Sequence, residues 1–228
     1  MHATSRSIVT NQTGPHDDVP RRVMRAMKYP LRKPVAEHTR TAFAQADAWL
    51  AEQRMPLILD AGCGVGLSTR HLAERHTNCA VIGIDRSADR LSRDHGALPG
   101  NALLVRADLI DFWRLALAAG WQPRQHYLLY PNPYPKAAHL KMRWHGHPVF
   151  PTILALGGRL ELRSNWRLYL VEFALAVEQA SGLRPAIVEH DPAGEYLSPF
   201  ERKYHVSDQS LWRLTIDLPH CPSLPPRH

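Results

Sequence analysis

A short apolar run that ends in an acidic residue and opens into closely spaced glycines constrains the fold of this chain more than any other feature. Residues 57–66 read Leu-Ile-Leu-Asp-Ala-Gly-Cys-Gly-Val-Gly, which places glycines at Gly62, Gly64 and Gly66. Glycine lacks a Cβ and tolerates positive φ, so the backbone of a strand-to-helix turn can approach a nucleotide-like ligand. The pattern therefore predicts a strand, a tight turn and a helix beside such a ligand.

Two further apolar runs also end in acidic residues. Asp85 follows residues 79–84, and Asp108 follows residues 102–107. In a doubly wound α/β fold, a carboxylate about 20 residues after the glycine turn is placed to accept hydrogen bonds from a ribose diol. Asp85 meets that description, so the three acidic strand ends support a nucleotide-like site.

The combined pattern resembles the S-adenosylmethionine (SAM) site of class I methyltransferases. Asp60 lies just before the glycines, where that cofactor carries an ammonium group rather than a pyrophosphate. The turn reads Gly-x-Gly-x-Gly, whereas dinucleotide sites read Gly-x-Gly-x-x-Gly. An NAD or FAD site and a turn that only packs a helix against a sheet are the alternatives. Three strand-end carboxylates argue against the packing alternative.

Strands and helices alternate from about residue 49 onward, which predicts a parallel sheet with helices on both faces. The predicted strands cover residues 57–60, 79–85, 102–107, 127–130, 159–163, 184–189 and 210–217. The predicted helices lie near residues 67–76, 87–95, 109–119, 147–156 and 166–180, and a loop of about 20 residues precedes the last strand.

We expect a doubly wound, Rossmann-like α/β methyltransferase domain over residues 49–218. The resemblance implies a mostly parallel seven-stranded sheet with an antiparallel last strand. Residues 1–48 are expected to form a basic, extended N-terminal arm with a helix near residues 35–49, and residues 219–228 a loose tail. The length of 228 residues and the 44% of hydrophobic residues fit one globular domain with this extension.

A formal net charge of +7 makes a polyanion the first candidate partner. Seven basic residues with only Glu37 opposing them form the first cluster: Arg21, Arg22, Arg25, Lys28, Arg32, Lys33 and Arg40. The second cluster interleaves aromatic residues: Tyr134, Lys136, His139, Lys141, Arg143 and Trp144. Basic side chains neutralise phosphates while aromatic faces stack on unpaired bases, so this combination predicts RNA binding. A solvated basic face is the alternative.

The chain shows no membrane or secretion signal. The longest apolar candidate, residues 168–177, contains Glu172, and residues 1–11 lack the apolar core of a signal peptide. The three cysteines have neither metal-ligand nor disulfide spacing, which suits a reducing compartment. We therefore expect a cytoplasmic protein without a membrane partner, and both a monomer and a homodimer stay open.

The fourteen histidines raise the question of a metal. His139, His145 and His147 lie close together, but no cysteine or acidic residue completes a ligand set. We therefore expect no metal site and assign these histidines RNA-facing or structural roles.

The loop after the fourth strand carries the most specific resemblance. Residues 131–139 read Pro-Asn-Pro-Tyr-Pro-Lys-Ala-Ala-His, which resembles the Pro-Asp-Pro-Trp-x-Lys-x-x-His motif of the bacterial tRNA (guanine-N7) methyltransferase family. Ser-Asn-Trp at residues 164–166 is similar to that family's Thr-Asp-Trp. Ser-Pro-Phe-Glu at residues 198–201 is similar to its Thr-x-Phe-Glu. The resemblance covers roughly residues 57–217.

The resemblance implies a role for each matching residue. Asp60, Asp85 and Asp108 are expected to bind the methionine end, the ribose and the adenine region of SAM. The expected substrate-binding residues contact RNA or hold the target guanine: Lys136, Asn165, Ser198, Phe200 and Glu201. Chemistry collects at the carboxyl ends of strands in such a sheet, and three prolines pin the loop backbone, so Asn132 is the expected catalytic residue.

Two family aspartates are replaced by Asn132 and Asn165. Guanine N7 carries a free lone pair, so methyl transfer to it needs orientation and electrostatics but no general base. An amide can still accept and donate hydrogen bonds. The expected function is therefore SAM-dependent methylation of RNA, with tRNA guanine N7 as the acceptor.

Two other functions stay open at this stage. Amino methyltransferases carry Asn/Asp-Pro-Pro-aromatic, and residues 132–135 have the same residues with the last two exchanged. That similarity predicts transfer to an exocyclic amine instead. Loss of both family aspartates is also compatible with a SAM-binding, RNA-binding module that has no catalytic activity.

Overall fold

The structure is a computed structural model and describes residues 5–220 of the chain. Its strands are β1 (Leu57–Ala61), β2 (Ala80–Asp85), β3 (Ala102–Arg106), β4 (Gln125–Leu129), β5 (Gly158–Ser164), β6 (Ala186–Glu189) and β7 (Trp212–Leu218). Its α-helices are α1 (Val19–Lys28), α2 (Glu37–Gln53), α3 (Leu67–Arg75), α4 (Ala88–Leu91), α5 (Leu109–Ala118), α6 (Phe150–Ala155), α7 (Arg167–Ser181) and α8 (Pro199–His205). Two short 3₁₀ turns, Ala137–Met142 and Trp144–Gly146, lie between β4 and α6.

The strands form one sheet in the order β3-β2-β1-β4-β5-β7-β6. β1 pairs in parallel with β2 and with β4, and β2 pairs in parallel with β3. β6 and β7 pair antiparallel, with Ile187 opposite Leu214. The predicted doubly wound α/β fold, with seven strands and an antiparallel last strand, is confirmed.

By their internal packing the described residues divide into two compact units. The glycine-turn unit comprises residues 33–127, 152–160 and 217–220. The proline-loop unit comprises residues 5–32, 128–151 and 161–216. Each unit has its own apolar core.

The core of the glycine-turn unit is built on strands β1 and β2, which are buried along their whole lengths. Such strands read as continuous apolar runs because helices cover both faces of a parallel sheet. Phe43, Phe112 and Trp121 form an aromatic cluster with ring centroids 5.0–5.6 Å apart. This cluster packs α2 against α5, which begins directly after β3.

The core of the proline-loop unit is built on helix α7. Phe173 packs edge-on against Phe150 with ring centroids 5.3 Å apart. Helix α1 packs along α7 and buries Val19, Val23 and Ala26. These three residues follow the i, i+4, i+7 spacing of one helix face, so α1 is held by burial of that face.

The prediction of an extended N-terminal arm is wrong for residues 19–28, which form α1. The apolar face of this helix consists of only three residues placed among basic ones, so its helical spacing is a weak signal in the sequence. The helix expected near residues 35–49 is confirmed as α2, although it runs on to Gln53. The predicted division of the chain at residue 48 stays a prediction. Of the expected tail, residues 221–228 lie outside the described residues.

Two smaller expectations also need correction. The long loop before the last strand contains α8, which begins at a Ser198 side chain that accepts a hydrogen bond from Glu201 N–H and has Pro199 in its first turn. Ser followed by Pro is a helix start signal, and it was readable in the sequence. The helix expected at residues 87–95 ends at Leu91.

Candidate functional site

The three glycines of the turn all adopt positive φ. The angles are 85° at Gly62, 60° at Gly64 and 80° at Gly66, a region that residues with a Cβ rarely enter. A Cβ on Gly66 would lie 2.8 Å from a methyl of Leu104, whereas one on Gly64 would meet no atom within 4 Å. Gly66 is therefore needed for packing of α3, and Gly64 borders open space where a ligand can approach.

Asp60 is buried with one oxygen unsatisfied. Its side chain is at the end of β1, where Oδ2 accepts hydrogen bonds from Ser68 Oγ at 2.6 Å and Thr69 Oγ1 at 2.7 Å. Oδ1 is buried without a hydrogen-bond partner. Burial raises the pKa of Asp60 to about 6, against the lowering effect of the two hydroxyl donors. Because buried polar atoms are nearly always paired, this oxygen marks a place for a ligand donor.

Asp85 binds the glycine turn directly. Its Oδ2 accepts from Gly64 N–H at 3.0 Å, and its Oδ1 accepts from Ser87 N–H at 2.8 Å and from Arg90 Nη2 at 2.9 Å. The carboxylate thus faces the turn at the carboxyl end of β2. A carboxylate has about four lone-pair sites, so three donors leave it capacity for a ligand hydroxyl.

Asp108 has a structural role beside its expected ligand role. One carboxylate oxygen, Oδ1, accepts from Ile110 N–H at 2.9 Å and from Asp111 N–H at 3.4 Å, which caps the start of α5. The Asp108 backbone N–H donates to Thr39 Oγ1 at 3.3 Å. Asp60, Asp85 and Asp108 therefore end or follow three neighbouring parallel strands, as the sequence pattern requires.

The glycine-turn unit fits the cofactor that the sequence implies. An ammonium group is the kind of donor that satisfies a buried carboxylate oxygen such as Asp60 Oδ1. Gly64 leaves the backbone open beside it. The roles of these residues in binding SAM stay predictions, and the geometry is compatible with each of them.

The proline loop is defined here as residues 131–136. One strained tyrosine directly precedes it and a second lies within it. Tyr130 has φ 50° and Tyr134 has φ 44°, values that cost energy for residues with a Cβ. Asn132 is exposed, and its Oδ1 accepts from Tyr134 N–H at 3.3 Å. Lys136 is also exposed. Asn132 and Lys136 thus present polar groups to solvent from a strained loop.

Glu201 lies inside the proline-loop unit and not on its surface. Its side chain has no exposed area and accepts hydrogen bonds from Tyr130 Oη, Arg163 Nη1, His190 Nε2 and Leu197 N–H, at 3.1, 2.8, 3.2 and 2.7 Å. Burial alone would raise its pKa, but donation from His190 and the charge and donation of Arg163 lower it to about 2. Glu201 is therefore an ionised, buried acceptor that binds the hydroxyl of Tyr130, the residue before the proline loop.

The remaining expected substrate residues differ in exposure. Ser198 is buried and caps α8, whereas Phe200 is 43% exposed and stacks on Tyr204 with ring centroids 6.2 Å apart. Asn165 is half-buried and donates to Gln209 Oε1 at 2.8 Å. Of this group, Phe200 presents the most accessible surface for a substrate.

Residues 54–214 match the model of a family described as "Putative methyltransferase". The chain belongs to this methyltransferase family. The match spans the glycine turn and the proline loop, as well as helix α8.

Curated relatives of this methyltransferase include two proteins named tRNA (guanine-N(7)-)-methyltransferase. The protein from Leifsonia xyli is 26% identical over 171 residues, which is 70% of this chain and 74% of the relative. The protein from Treponema pallidum is 25% identical over 169 residues, which is 70% of this chain and 66% of the relative. The resemblance found in the sequence is confirmed, and the chain is a divergent relative of these proteins.

Solved structures confirm the class I methyltransferase fold. An antibiotic-related methyltransferase superposes with a TM-score of 0.57 at 15% identity, covering 77% of this chain and 94% of its own. The 16S rRNA methyltransferase KamB superposes with a TM-score of 0.55 at 17% identity, covering 82% of this chain and 95% of its own.

The methyltransferase also contains a buried ionic cluster that the sequence interpretation missed. Arg143 was expected to face RNA, but it has no exposed surface and pairs with Glu172, which is equally buried. Gln12 and His145 complete the cluster as further hydrogen-bond partners of Glu172. The readable signal was Glu172 itself, a lone acid in an otherwise apolar helix face that requires a basic partner inside the protein.

Two further observations concern only residues 5–220. No group of three histidine, cysteine or acidic side chains in this range is arranged to hold a metal ion. Within the same range, no helix combines the length and apolar character that crossing a membrane requires.

Proposed function

We propose that this methyltransferase transfers a methyl group from SAM to RNA, with guanine N7 of a tRNA as the acceptor. The observation that carries the proposal is the unpartnered Oδ1 of buried Asp60 beside an open glycine turn. It occurs in a chain whose relatives are named tRNA (guanine-N7) methyltransferases. A tRNA substrate and a cytoplasmic location belong to this proposal.

Three acids and the glycine turn are proposed to hold the cofactor. Bound SAM supplies a methyl group activated on a sulfonium. Asp60 accepts a hydrogen bond from the ammonium group, Asp85 accepts from the ribose hydroxyls, and Asp108 borders the adenine. Charge-assisted bonds of this kind are shorter and stronger than neutral ones, so Asp60 and Asp85 should dominate affinity.

Asn132 is proposed to orient the acceptor base. Guanine N7 has no proton to lose, so an amide that donates and accepts hydrogen bonds is sufficient at this position. Glu201 does not serve as a general base in this scheme, because its pKa of about 2 makes it a very weak base at neutral pH. Phe200 and Tyr204 offer aromatic faces on which an unpaired base can stack.

Helix α1 and the segment after it are proposed to bind RNA phosphates. A cleft of about 470 Å³ is lined by basic, aromatic and apolar residues: Arg22, Arg25, Ala26, Tyr29, Pro30, Leu31, Arg32, Gly146 and Pro148. Tyr29 is 60% exposed, so its ring is available for stacking. Arginine side chains neutralise phosphates while the ring stacks on a base, which fits a single-stranded region of RNA.

The experiment that tests the function is nucleoside analysis. The protein is incubated with bulk tRNA and labelled SAM, and the digested RNA is separated into nucleosides. N7-methylguanosine supports the proposal. An N-methylated adenosine or cytidine would instead assign transfer to an exocyclic amine, and the absence of any labelled nucleoside would leave a binding module without catalysis.

Variants of Asn132 sharpen this test. Asn132→Ala should reduce turnover on guanine by about 100-fold through lost orientation, while Asn132→Asp should keep or raise it. Asn78→Ala, at an exposed asparagine between α3 and β2, is the matched control and should be fully active. An Asn132→Ala protein as active as this control would contradict the role of Asn132.

A further inference from the structure

Three consecutive carbonyls of the proline loop accept hydrogen bonds from side chains outside the loop. Tyr134 C=O accepts from Arg143 Nε at 3.2 Å and Nη2 at 2.9 Å. Pro135 C=O accepts from Thr10 Oγ1 at 2.7 Å, and Lys136 C=O accepts from Arg143 Nη2 at 3.3 Å. The next residue, Ala137, donates its N–H to Asn11 Oδ1 at 3.2 Å. The loop and the residue that follows it are thus hydrogen-bonded to Thr10, Asn11 and Arg143.

The loop has few means of holding itself. Three of its six residues are prolines, which have no N–H to donate. The left-handed tyrosines at 130 and 134 are strained, and such conformations persist only where surrounding contacts impose them. Bonds from outside the loop must therefore supply that constraint.

Arg143, the donor with the most bonds to the loop, is held by a buried acid. Glu172 Oε2 accepts from Arg143 Nη1, and Glu172 Oε1 accepts from Gln12 Nε2 and from His16 N–H, both at 2.9 Å. Gln12 Oε1 in turn accepts from Arg143 Nη2. The Arg143 guanidinium also lies 4.9 Å from the ring centroid of Trp166. Gln12, His16 and Arg143 are therefore bonded into one cluster around Glu172.

We propose that residues Thr10, Asn11 and Arg143 are positioning residues for the methyl acceptor, acting through the proline loop. The inference rests on the proposed methyltransferase function. Asn132 Oδ1 accepts from Tyr134 N–H, so the direction of the Asn132 side chain follows the position of residue 134. The hydrogen bonds that Thr10, Asn11 and Arg143 make with residues 134–137 set that position. A shift of about 1 Å at such a group costs on the order of 100-fold in rate, so these hydrogen bonds contribute to turnover without touching the substrate.

Thr10→Val tests the proposal because it removes the hydroxyl that donates to Pro135 C=O and changes no side chain that binds Glu172. The same hydroxyl accepts from Gln12 N–H at 3.1 Å, and that bond is lost as well. Thr13→Val is the matched control, at an exposed threonine three residues further along. Thr10→Ser retains the hydroxyl and serves as the rescue. The measurements are amide hydrogen exchange of Asn132, Tyr134, Lys136 and Ala137, SAM affinity by calorimetry, and kcat on the RNA that the wild type methylates.

The expected result for Thr10→Val is severalfold faster exchange in the loop, about tenfold lower kcat and unchanged SAM affinity. Thr13→Val and Thr10→Ser should match the wild type. Exchange equal to the control overturns the proposal, as does faster exchange with unchanged kcat. A parallel loss of SAM affinity also overturns it, since that indicates a general loss of structure.

The two proposals fail separately in this design. A wild type that methylates no RNA contradicts the proposed function, while hydrogen exchange still decides whether Thr10 holds the loop. A wild type that is active on RNA with an unaffected Thr10→Val contradicts only the positioning role. Arg143→Lys is a second variant, and it should accelerate exchange over the same residues because lysine cannot reach both Tyr134 and Lys136 carbonyls in the arginine geometry.

Discussion

Arg143 and Glu172 form an ion pair in which neither side chain has any exposed surface. The pair joins helix α7 to the segment between the two 3₁₀ turns, and His145 Nε2 lies 2.9 Å from the same Glu172 oxygen. Burial alone would raise the pKa of Glu172, but hydrogen bonds from His145, Gln12 and Arg143 more than offset it and lower that pKa to about 2. Glu172 is therefore ionised at neutral pH and accepts hydrogen bonds from several elements of the proline-loop unit.

Removing this charge should strongly destabilise the fold. Glu172→Gln leaves the Arg143 guanidinium buried without a counter-ion, which typically costs about 3–5 kcal/mol in the free energy of unfolding. Urea denaturation monitored by circular dichroism measures this change in the free energy of unfolding. Glu178→Gln is the matched control, since Glu178 pairs with Arg184 at the surface and such pairs contribute at most about 1 kcal/mol. Equal losses in the two variants would contradict the role of the buried pair.

Stability should also fall in acid. Glu172 and Glu201 both have a pKa near 2 in the folded protein, against the usual value of 4.5. The unfolded chain therefore binds more protons than the folded one between these two pKa values. The contribution of the two ionised glutamates to the free energy of unfolding is fully present above pH 4.5 and is lost as pH falls towards 2. Urea midpoints measured from pH 6 to pH 2.5 should show this decline. The decline should be shallower in Glu172→Gln, and a midpoint independent of pH would contradict the prediction.

Cofactor affinity should depend on pH through Asp60. Its pKa is raised to about 6, and an ammonium group binds the carboxylate rather than the protonated acid. SAM affinity should therefore rise with pH, being about tenfold weaker at pH 5 than at pH 7. Calorimetry at the two pH values measures the effect, and Asp60→Asn should bind weakly with no such dependence. A wild-type affinity that is flat from pH 5 to pH 7 would place the ammonium group elsewhere.

Asp85 should be the second determinant of SAM affinity. Asp85→Ala removes the proposed acceptor for the ribose hydroxyls, and we expect SAM binding to weaken by about 2–3 kcal/mol. Asp89→Ala is the control, because Asp89 is an exposed acid on α4 that pairs only loosely with Arg93 at 3.5 Å. If calorimetry finds the same SAM affinity in both variants, Asp85 does not contribute to SAM binding.

The basic residues on and after α1 should determine the salt dependence of RNA binding. Deleting the arm would also remove the buried face of α1, so charge substitution is the cleaner change. The triple substitution of Arg25, Lys28 and Arg32 by Gln should lower the slope of log affinity against log salt by about 2 to 3, with SAM affinity unchanged. Filter binding over a range of salt concentrations measures the slope.

A control with equal charge loss completes this experiment. Substituting Arg54, Arg159 and Arg184 by Gln removes the same net charge elsewhere on the chain. A similar slope for both triple variants would indicate a general charge effect. An unchanged slope for the α1 variant would indicate that RNA binds to another part of the protein. Lys141, which is exposed in the first 3₁₀ turn, is then the next residue to test.

The strands and acidic strand ends of the glycine-turn unit could be predicted from the sequence because their signals are local. An apolar run that ends in an acid specifies a strand end within one or two residues, as at β1 and β2, and a glycine turn follows the first of these strands. Parallel pairing then brings Asp60, Asp85 and Asp108 to one edge of the sheet, since the carboxyl ends of parallel strands lie together. No long-range information beyond the fold class was needed.

The surroundings of the proline loop were decided only by tertiary structure. Arg143 lies in a basic and aromatic stretch that is typical of an RNA surface, yet it is buried because Glu172, 29 residues away, supplies its counter-ion. Glu201 matches a motif for binding guanine, yet its carboxylate faces inward because Arg163 and His190 converge on it. Whether a charged side chain is exposed depends on the partners that the fold brings to it, because burial is favourable only when the charge is paired. Those partners lie far apart in the chain, and the order of residues does not reveal them.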